Sequence, residues 1–467
     1  MAKRKRAAAN VPEPAKKRKS DDVSPVTVQI VAGSYDRVLH GIAATIPFAK
    51  DEAVKFTDTF LFTAHTSAIR CLALSPPSAL VPGQTQKIIL ASGSTDERIN
   101  LYHLSAHLPH ETHKLRIPSL ISSAVVENSH NRELGSLLHH ASSVTALHFP
   151  TRSKLLSSAE DSTIAVTRTR DWSLLSTIKA PIPKPQGRPS GDTAPLGGTP
   201  AGINDFAVHP SLKLMISVGK GEKCMRLWNL VTGKKAGVLN FGRELLSEVG
   251  ENRLGTGEAR KVAWGSTNAG EEFCVGFEWG LLVFGMDSRP RCKVAPQPKT
   301  KIHQVCYIAT AAEEDTSVMA VSTEDGRILF YSTQSEDLSI ASAVEGKDAA
   351  IPSARLIAQL GGKTAGLSGR IKDFTVLRLE GQSWSFLILA GSSDGNIRLW
   401  TLSASDLEAK SQKQTRQVGN LIGTYETGNR ITCLQAFVML PLPEGAEGVE
   451  ETEMARLGDD EDRSDSD

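Results

Sequence analysis

Four histidines, His103, His107, His110 and His113, are the one group whose spacing could gather imidazoles around a metal ion. Their intervals of four, three and three residues suit a helix, but Pro109 in the middle would break one. No cysteine or carboxylate pair stands beside them at ligand spacing, so the segment is expected to be a polar surface loop without metal. Gly361-Gly362-Lys363-Thr364 has the ending of a phosphate-binding loop. The full pattern needs glycine at 357, where Ile357 stands, and no strand–helix context surrounds it. Cys71, Cys306 and Cys433 fall in short apolar segments and read as small packing residues. Nothing has the form of a nucleophile elbow, a paired-carboxylate site or a zinc-protease helix, so neither an enzyme nor a cofactor is expected.

The chemistry that remains is electrostatic and lies at the ends of the chain. Lys3-Arg4-Lys5-Arg6 and Lys16-Lys17-Arg18-Lys19 form two basic clusters with Pro12 and Pro14 between them, and residues 1–20 carry a net charge of +7. Two extended clusters of this kind suit the separate acidic grooves of a nuclear-import carrier. Eight cations could also hold RNA phosphates without sequence preference. Residues 441–467 carry eleven acidic and two basic residues and are too poor in apolar side chains to fold alone. The expected organisation is a basic arm over 1–25, a folded body over 26–440 and an acidic tail over 441–467.

The body must position whatever surface binds. The 467 residues are 40% hydrophobic and 22% charged, ordinary for a chain that buries a core. No apolar run reaches the 18 or more residues of a membrane-spanning helix, and no membrane partner is expected. The six cysteines contain no C-x-x-C pair, which speaks against a zinc ribbon and suits a reducing compartment.

Repeats decide the architecture. Seven segments share an apolar run, a short turn and a second run: 30–42, 89–104, 155–168, 215–230, 273–286, 319–332 and 388–402. Each reads as a β-hairpin. In five, a turn aspartate (Asp36, Asp96, Asp161, Asp325, Asp394) is followed six residues later by Ile42, Tyr102, Thr167, Tyr331 or Trp400. A second element, apolar-x-x-apolar, also occurs seven times, beginning at Ile69, Val144, Ile203, Ala259, Ile302, Ile371 and Ile431. The first hairpin has no such strand before it and the last such strand has no hairpin after it. These two orphans fit one another, so the chain is expected to close as a seven-bladed β-propeller of WD type, all-β, with the C-terminal strand entering the first blade.

The sequence also places individual residues in that ring. Trp228-Asn229 and Trp400-Thr401 stand where the signature Trp-Asp pair belongs, and His65 and His140 where its Gly-His belongs. With Asp96, Asp161, Asp325 and Asp394 they are expected to tie turns to strands. The residue after the first apolar of each short element should reach one rim of the central channel. Those residues are Arg70, Thr145, Asn204, Arg260, His303, Lys372 and Thr432, of which three are cationic and none acidic. Such a rim would attract an acidic protein segment or rRNA phosphates. Surplus length is expected in insertions near 103–134, 180–200, 242–258, 333–354, 361–369 and 403–418.

Several stretches resemble one WD-repeat family: 32–42, 139–149, 157–164, 209–234, 369–374, 392–400 and 429–437, with HPSLKLMISVGKGEKCMRLWNLVTGK and RITCL as the most specific. That family comprises the fungal maintenance-of-killer ribosome-assembly factors and the animal PAK-interacting proteins. The resemblance implies a nuclear or nucleolar scaffold for assembly of the large (60S) ribosomal subunit and rRNA processing, with pre-60S proteins and rRNA as partners. It also implies, as an alternative, negative regulation of PAK-type kinases by direct binding, and the basic import signal favours assembly over it.

Overall fold

The computed structural model describes residues 25–441 except 48–51, 82–83, 109–114, 118–124, 129, 183–201, 252–255, 269, 310–317, 340–350, 368, 380–384 and 409–415. The import clusters and the acidic tail beyond Pro441 lie outside the described residues, as do His110 and His113.

Seven antiparallel sheets form a propeller ring. Blades 2 to 7 begin with their innermost strands at Ile69–Leu74, Val144–Thr151, Ile203–Val208, Lys261–Thr267, Ile302–Ile308 and Ile371–Arg378. Each is followed outward by three consecutive strands, apart from the insertions noted below. Blade 1 is built from both ends of the chain. Ile431–Val438 is its innermost strand and pairs antiparallel with Val26–Ser34, Val28 opposite Val438 and Ala32 opposite Leu434. The two orphan elements thus complete one sheet, so blade 1 has the same four-stranded form as its neighbours.

Blade faces are apolar on both sides, so each gap between neighbours holds its own core. There are seven such clusters, one per gap. The gap between blades 7 and 1 packs Leu387, Leu389 and Leu399 against Val28, Ile30, Ile431 and Leu434. Burial on both faces is why the second strands read as continuous apolar runs rather than as alternating ones. The repeat spacing is also a register. Ile42, Tyr102, Thr167, Tyr331 and Trp400 each pair with the corresponding residue of the preceding strand: Ile30, Leu90, Leu155, Met319 and Ile388. The residue after the turn aspartate sits in the left-handed region in five blades, at φ 62–85° for Arg37, Glu97, Ser162, Gly326 and Gly395. Glycine meets that demand in only two of them.

The expected four strands per blade hold except in blade 6. There, Arg416–Gln417 from the blade 7 insertion adds a fifth strand, parallel to Arg355–Gly361, and fastens one blade to the next. The insertions are also shorter than their expected bounds. His103 belongs to the strand Ile99–Ser105, and His107 is buried rather than on a polar loop. His107 Nε2 accepts from the Gln86 amide at 2.9 Å and its Nδ1 lies 2.8 Å from the Pro441 carbonyl, so it anchors the end of the closing strand. Within 103–134 two short strands, Leu115–Ile117 and Val125–Glu127, pair with each other. Gly361-Gly362-Lys363-Thr364 runs from an outer strand into a 3₁₀ turn, Lys363–Ala365, between blades.

Candidate interaction surface at the channel mouth

All seven innermost strands start on one face of the ring, and the hairpin turns gather at the same face. The amide of the first turn residue donates to the carbonyl just before an innermost strand: Tyr35 to Arg430, Thr95 to Ala68, Glu160 to Ser143, Lys220 to Gly202, Glu324 to Lys301 and Ser393 to Arg370, at 2.8–3.1 Å. This repeated bond sets the height of the turns around the mouth.

Behind each turn lies a fastening of buried polar groups. His65 Nδ1 is 3.0 Å from Asp96 Oδ2 and its Nε2 is 2.8 Å from Ser92 Oγ. Burial pushes the His65 imidazole below its ordinary pKa, so it is neutral, donates from Nδ1 to the aspartate and accepts the serine hydroxyl. Burial alone would raise the Asp96 carboxyl, yet His65 and the amides of Thr66 and Arg98 hold it low. Blade 3 repeats the pattern. His140 Nε2 lies 2.8 Å from Ser157 Oγ and Nδ1 lies 3.3 Å from Asp161 Oδ2. In blade 4 the Trp228 indole donates to Ser217 Oγ at 2.8 Å. Asp325 accepts from Arg327 Nε at 2.8 Å, Asp394 accepts from Arg398 Nη2 at 2.9 Å, and Trp400 is buried. These groups hold one another and the strands behind the turns, although Asp325 and Asp394 stay partly open to solvent. The chain carries WD40 repeats.

The WD domain, G-beta repeat family matches residues 56–103 and 131–166, which span most of blade 2 and run into blade 3. Over most of its length the chain is similar to Protein MAK11 of Saccharomyces cerevisiae, 28% identical across 87% of this chain and 82% of that protein. It is likewise similar to the p21-activated protein kinase-interacting protein 1-like proteins of Xenopus laevis and Gallus gallus. Each is 24% identical, over 92% and 88% of this chain and 86% and 80% of theirs. None of these names is that of an enzyme, and a WD40 propeller is typically a binding scaffold.

Around the mouth of this WD40 ring six of the seven rim positions share a backbone device. In six blades the register slips by one residue at the start of the innermost strand, and the extra residue is Arg70, Thr145, Asn204, His303, Lys372 or Thr432. A bulge of this kind re-aims one side chain out of the ladder. Arg260 stands one residue before its strand and donates its amide to Gly276. Burial at these sites spans a wide range, and so do the partners. Arg70 pairs with Glu160 at 3.0 Å, and Glu160 also takes Lys220 at 3.4 Å. Arg260 pairs with Glu278 at 3.0 Å, and Glu278 also takes Lys301 at 2.6 Å. Thr145, Asn204 and Thr432 turn to Ser158, the Ala259 carbonyl and the Gly33 and Ile69 carbonyls. His303 Nε2 is buried with no hydrogen-bond partner among the described residues. Burial, then the nearby Lys372, lowers its pKa to about 4.

One residue deeper, a second tier crosses the seams between blades. Asp205 accepts from the Val262 amide at 3.2 Å and faces Lys261 Nζ at 3.8 Å. Asp373 accepts from Gln304 Nε2 and the Phe374 amide through Oδ1, and from the Leu434 amide through Oδ2. Burial raises both carboxyls above the usual range. Burial also pushes the thiol of Cys71 up to about 12 and that of Cys306 up to about 11, which suits packing and not nucleophilic chemistry.

Rim counting by repeat phase missed Lys301, Arg370 and Arg430. Each immediately precedes the first apolar residue of its strand, in Lys301-Ile302, Arg370-Ile371 and Arg430-Ile431. That cation-Ile pairing in three successive blades was a readable signal. Glu160 comes to Arg70 from a turn ninety residues away, and only the folded ring brings it there, whereas Glu278 lies eighteen residues from Arg260.

Proposed function

We propose that this chain is a non-enzymatic scaffold in nucleolar assembly of the large ribosomal subunit, binding pre-60S proteins through its rigid ring and rRNA through its basic arm or insertions. The observation that carries this reading is the similarity to MAK11 along most of both chains, in a ring whose signature polar groups are consumed in holding the fold. The paired basic clusters at 3–6 and 16–19 add a route into the nucleus by way of an import carrier. The reading predicts that affinity purification of the tagged full chain, with sequencing of bound RNA and mass spectrometry of bound protein, recovers large-subunit rRNA precursors with their assembly proteins.

A second reading is negative regulation of a PAK-type kinase by direct binding. It is favoured by the names of the vertebrate relatives and of the Shk1 kinase-binding protein 15 of Schizosaccharomyces pombe, 24% identical over 66% of this chain. Recovery of such a kinase without pre-ribosomal material in the same purification would reverse the order of the two readings.

A further inference from the structure

The mouth is not electrically uniform, and its asymmetry lies where blades 6, 7 and 1 meet. Across this arc stand Lys301, Arg370, Lys372 and Arg430, all at the starts of adjacent innermost strands. Their carboxylate neighbours are mostly engaged. Glu324 takes Arg370 at 3.1 Å, Glu278 takes Lys301, Asp325 takes Arg327 and Asp394 takes Arg398. Asp36 accepts the backbone amide of Arg430 at 3.1 Å and not its guanidinium. Lys372 and the Arg430 guanidinium have no ion pair among the described residues. Burial, then the like charge of Arg370, with Arg430 and Lys301 adding to it, lowers the Lys372 ammonium pKa against the opposing pull of Glu324. A half-buried cation such as Lys372, crowded by exposed cations, is unfavourable for the free fold, and folds keep such arrangements where a ligand of opposite charge relieves them. Beside them Tyr35 is 59% exposed, with the Arg430 guanidinium 5.5 Å over its ring.

We propose that this arc, Lys301, Arg370, Lys372, Arg430 and Tyr35, is the docking site for an acidic segment of a partner protein. Three features favour a protein over a nucleic acid. The cations converge on one sector of a round mouth instead of lining a track that follows a phosphate backbone. The next tier inward presents Asp205 and Asp373, which repel a polyanion pressed into the channel but leave room for a segment whose few carboxylates stay at the rim. The exposed tyrosine and planar guanidinium offer an apolar face and a bidentate donor, a combination that suits glutamate and aspartate side chains. The chain's own acidic residues 442–467 are the alternative occupant, which their deletion tests. The closing strand runs from the mouth at Ile431 to Val438, about 23 Å away at roughly 3.3 Å per residue, and Pro441 is anchored by His107 at that far end.

The inference rests on the scaffold reading only in requiring that the ring bind another protein. Its test uses the full chain with the eight arm cations changed to alanine, so that the arm cannot capture an acidic probe. A fluorescein-labelled (Glu-Gly)5 peptide, followed by anisotropy at 50 mM salt, should bind this protein. The double change Lys372→Met and Arg430→Gln should weaken binding about tenfold, while Lys234→Gln on an exposed outer strand should leave it within about twofold. Lys372→Met alone removes the crowded charge at nearly constant volume. It should weaken the peptide and raise the melting temperature together, a pairing that damage to the fold would not produce. Unchanged peptide affinity in the double variant overturns the site. Tighter binding of a twelve-nucleotide oligouridine, lost in the same double variant, overturns the partner class in favour of nucleic acid. Deleting 442–467 should leave peptide affinity unchanged; a gain that depends on Lys372 and Arg430 would show the tail to be the occupant and overturn the proposal. Peptide binding without recovery of pre-ribosomal material leaves the site standing and overturns the ribosomal reading instead.

Discussion

Oδ2 of Asp373 accepts the backbone amide of Leu434 at 2.9 Å, across the seam where the last strand of the chain closes the ring. The other carboxylate oxygen serves the Phe374 amide and Gln304 Nε2, so one side chain ties blades 6, 7 and 1 together. An asparagine cannot replace it, because its amide group would face the Leu434 donor.

Asp373→Ala should therefore cost about 2–4 kcal/mol, since it strands several buried donors at once. Truncation after Arg430 should be far worse, removing Ile431, Cys433 and Leu434 from the core and exposing an edge of blade 1. Truncation after Pro441 keeps the His107 anchor and should melt like the full chain. Thermal melts of the three proteins make the comparison, and equal melting of the two truncations would contradict closure by this strand.

Stability should fall in two stages as the pH drops. His65, His103 and His303 have folded-state pKa values below the ordinary histidine value, His103 and His303 at about 4, with burial as the first cause. Their contribution is present above about pH 6.5 and is lost as the pH falls through that value toward 4. The turn carboxylates Asp96, Asp325 and Asp394, the last lowered to about 2, contribute above about pH 4 and lose that contribution toward pH 2. Asp205 and Asp373 shift the other way, so they favour the folded state as the pH falls toward about 4 and partly offset the first stage. His303→Asn should flatten the first stage in a melting series from pH 7 to 4.5. A flat wild-type curve over that range would refute the assignment.

Glu97 and Arg37 occupy the left-handed position that Gly326 and Gly395 fill elsewhere, each at φ 70°. Both side chains are exposed, so replacing them by glycine removes backbone strain without removing packing. Glu97→Gly and Arg37→Gly should each stabilise by about 0.5–1 kcal/mol, whereas Gly395→Ala should destabilise by more than that. Denaturant midpoints at constant slope provide the measurement.

Changing the eight basic residues of 3–6 and 16–19 to alanine touches no described core residue and should leave the melting temperature unaltered. The variant fused to a fluorescent protein should remain in the cytoplasm, whereas the parent should accumulate in the nucleus and nucleolus. Equal nuclear accumulation of both, in cells lacking the untagged protein, would assign import to another segment.

Fold, blade number and closure were legible because a propeller repeats one local problem seven times. The Ile42, Tyr102, Thr167, Tyr331 and Trp400 series is a pairing register, and a register depends only on chain spacing. The aspartates and histidines of the turns were readable for the same reason, their partners being tens of residues away at most within one blade. Repeat phase also marked seven positions at or just before the starts of the innermost strands, but it could not tell which cations are neutralised. Glu160 reaches Arg70 over ninety residues, and Asp373 reaches the strand of Leu434 over sixty-one. The parallel strand Arg416–Gln417 joins blade 6 from the blade 7 insertion. Such pairings depend on where separate blades come to rest around a closed ring, which no local spacing encodes. The chain by itself determined a seven-bladed scaffold with charged ends; the tertiary structure alone decided that Lys372 and the Arg430 guanidinium have no ion pair among the described residues, because charge balance at the mouth is set by side chains from different blades.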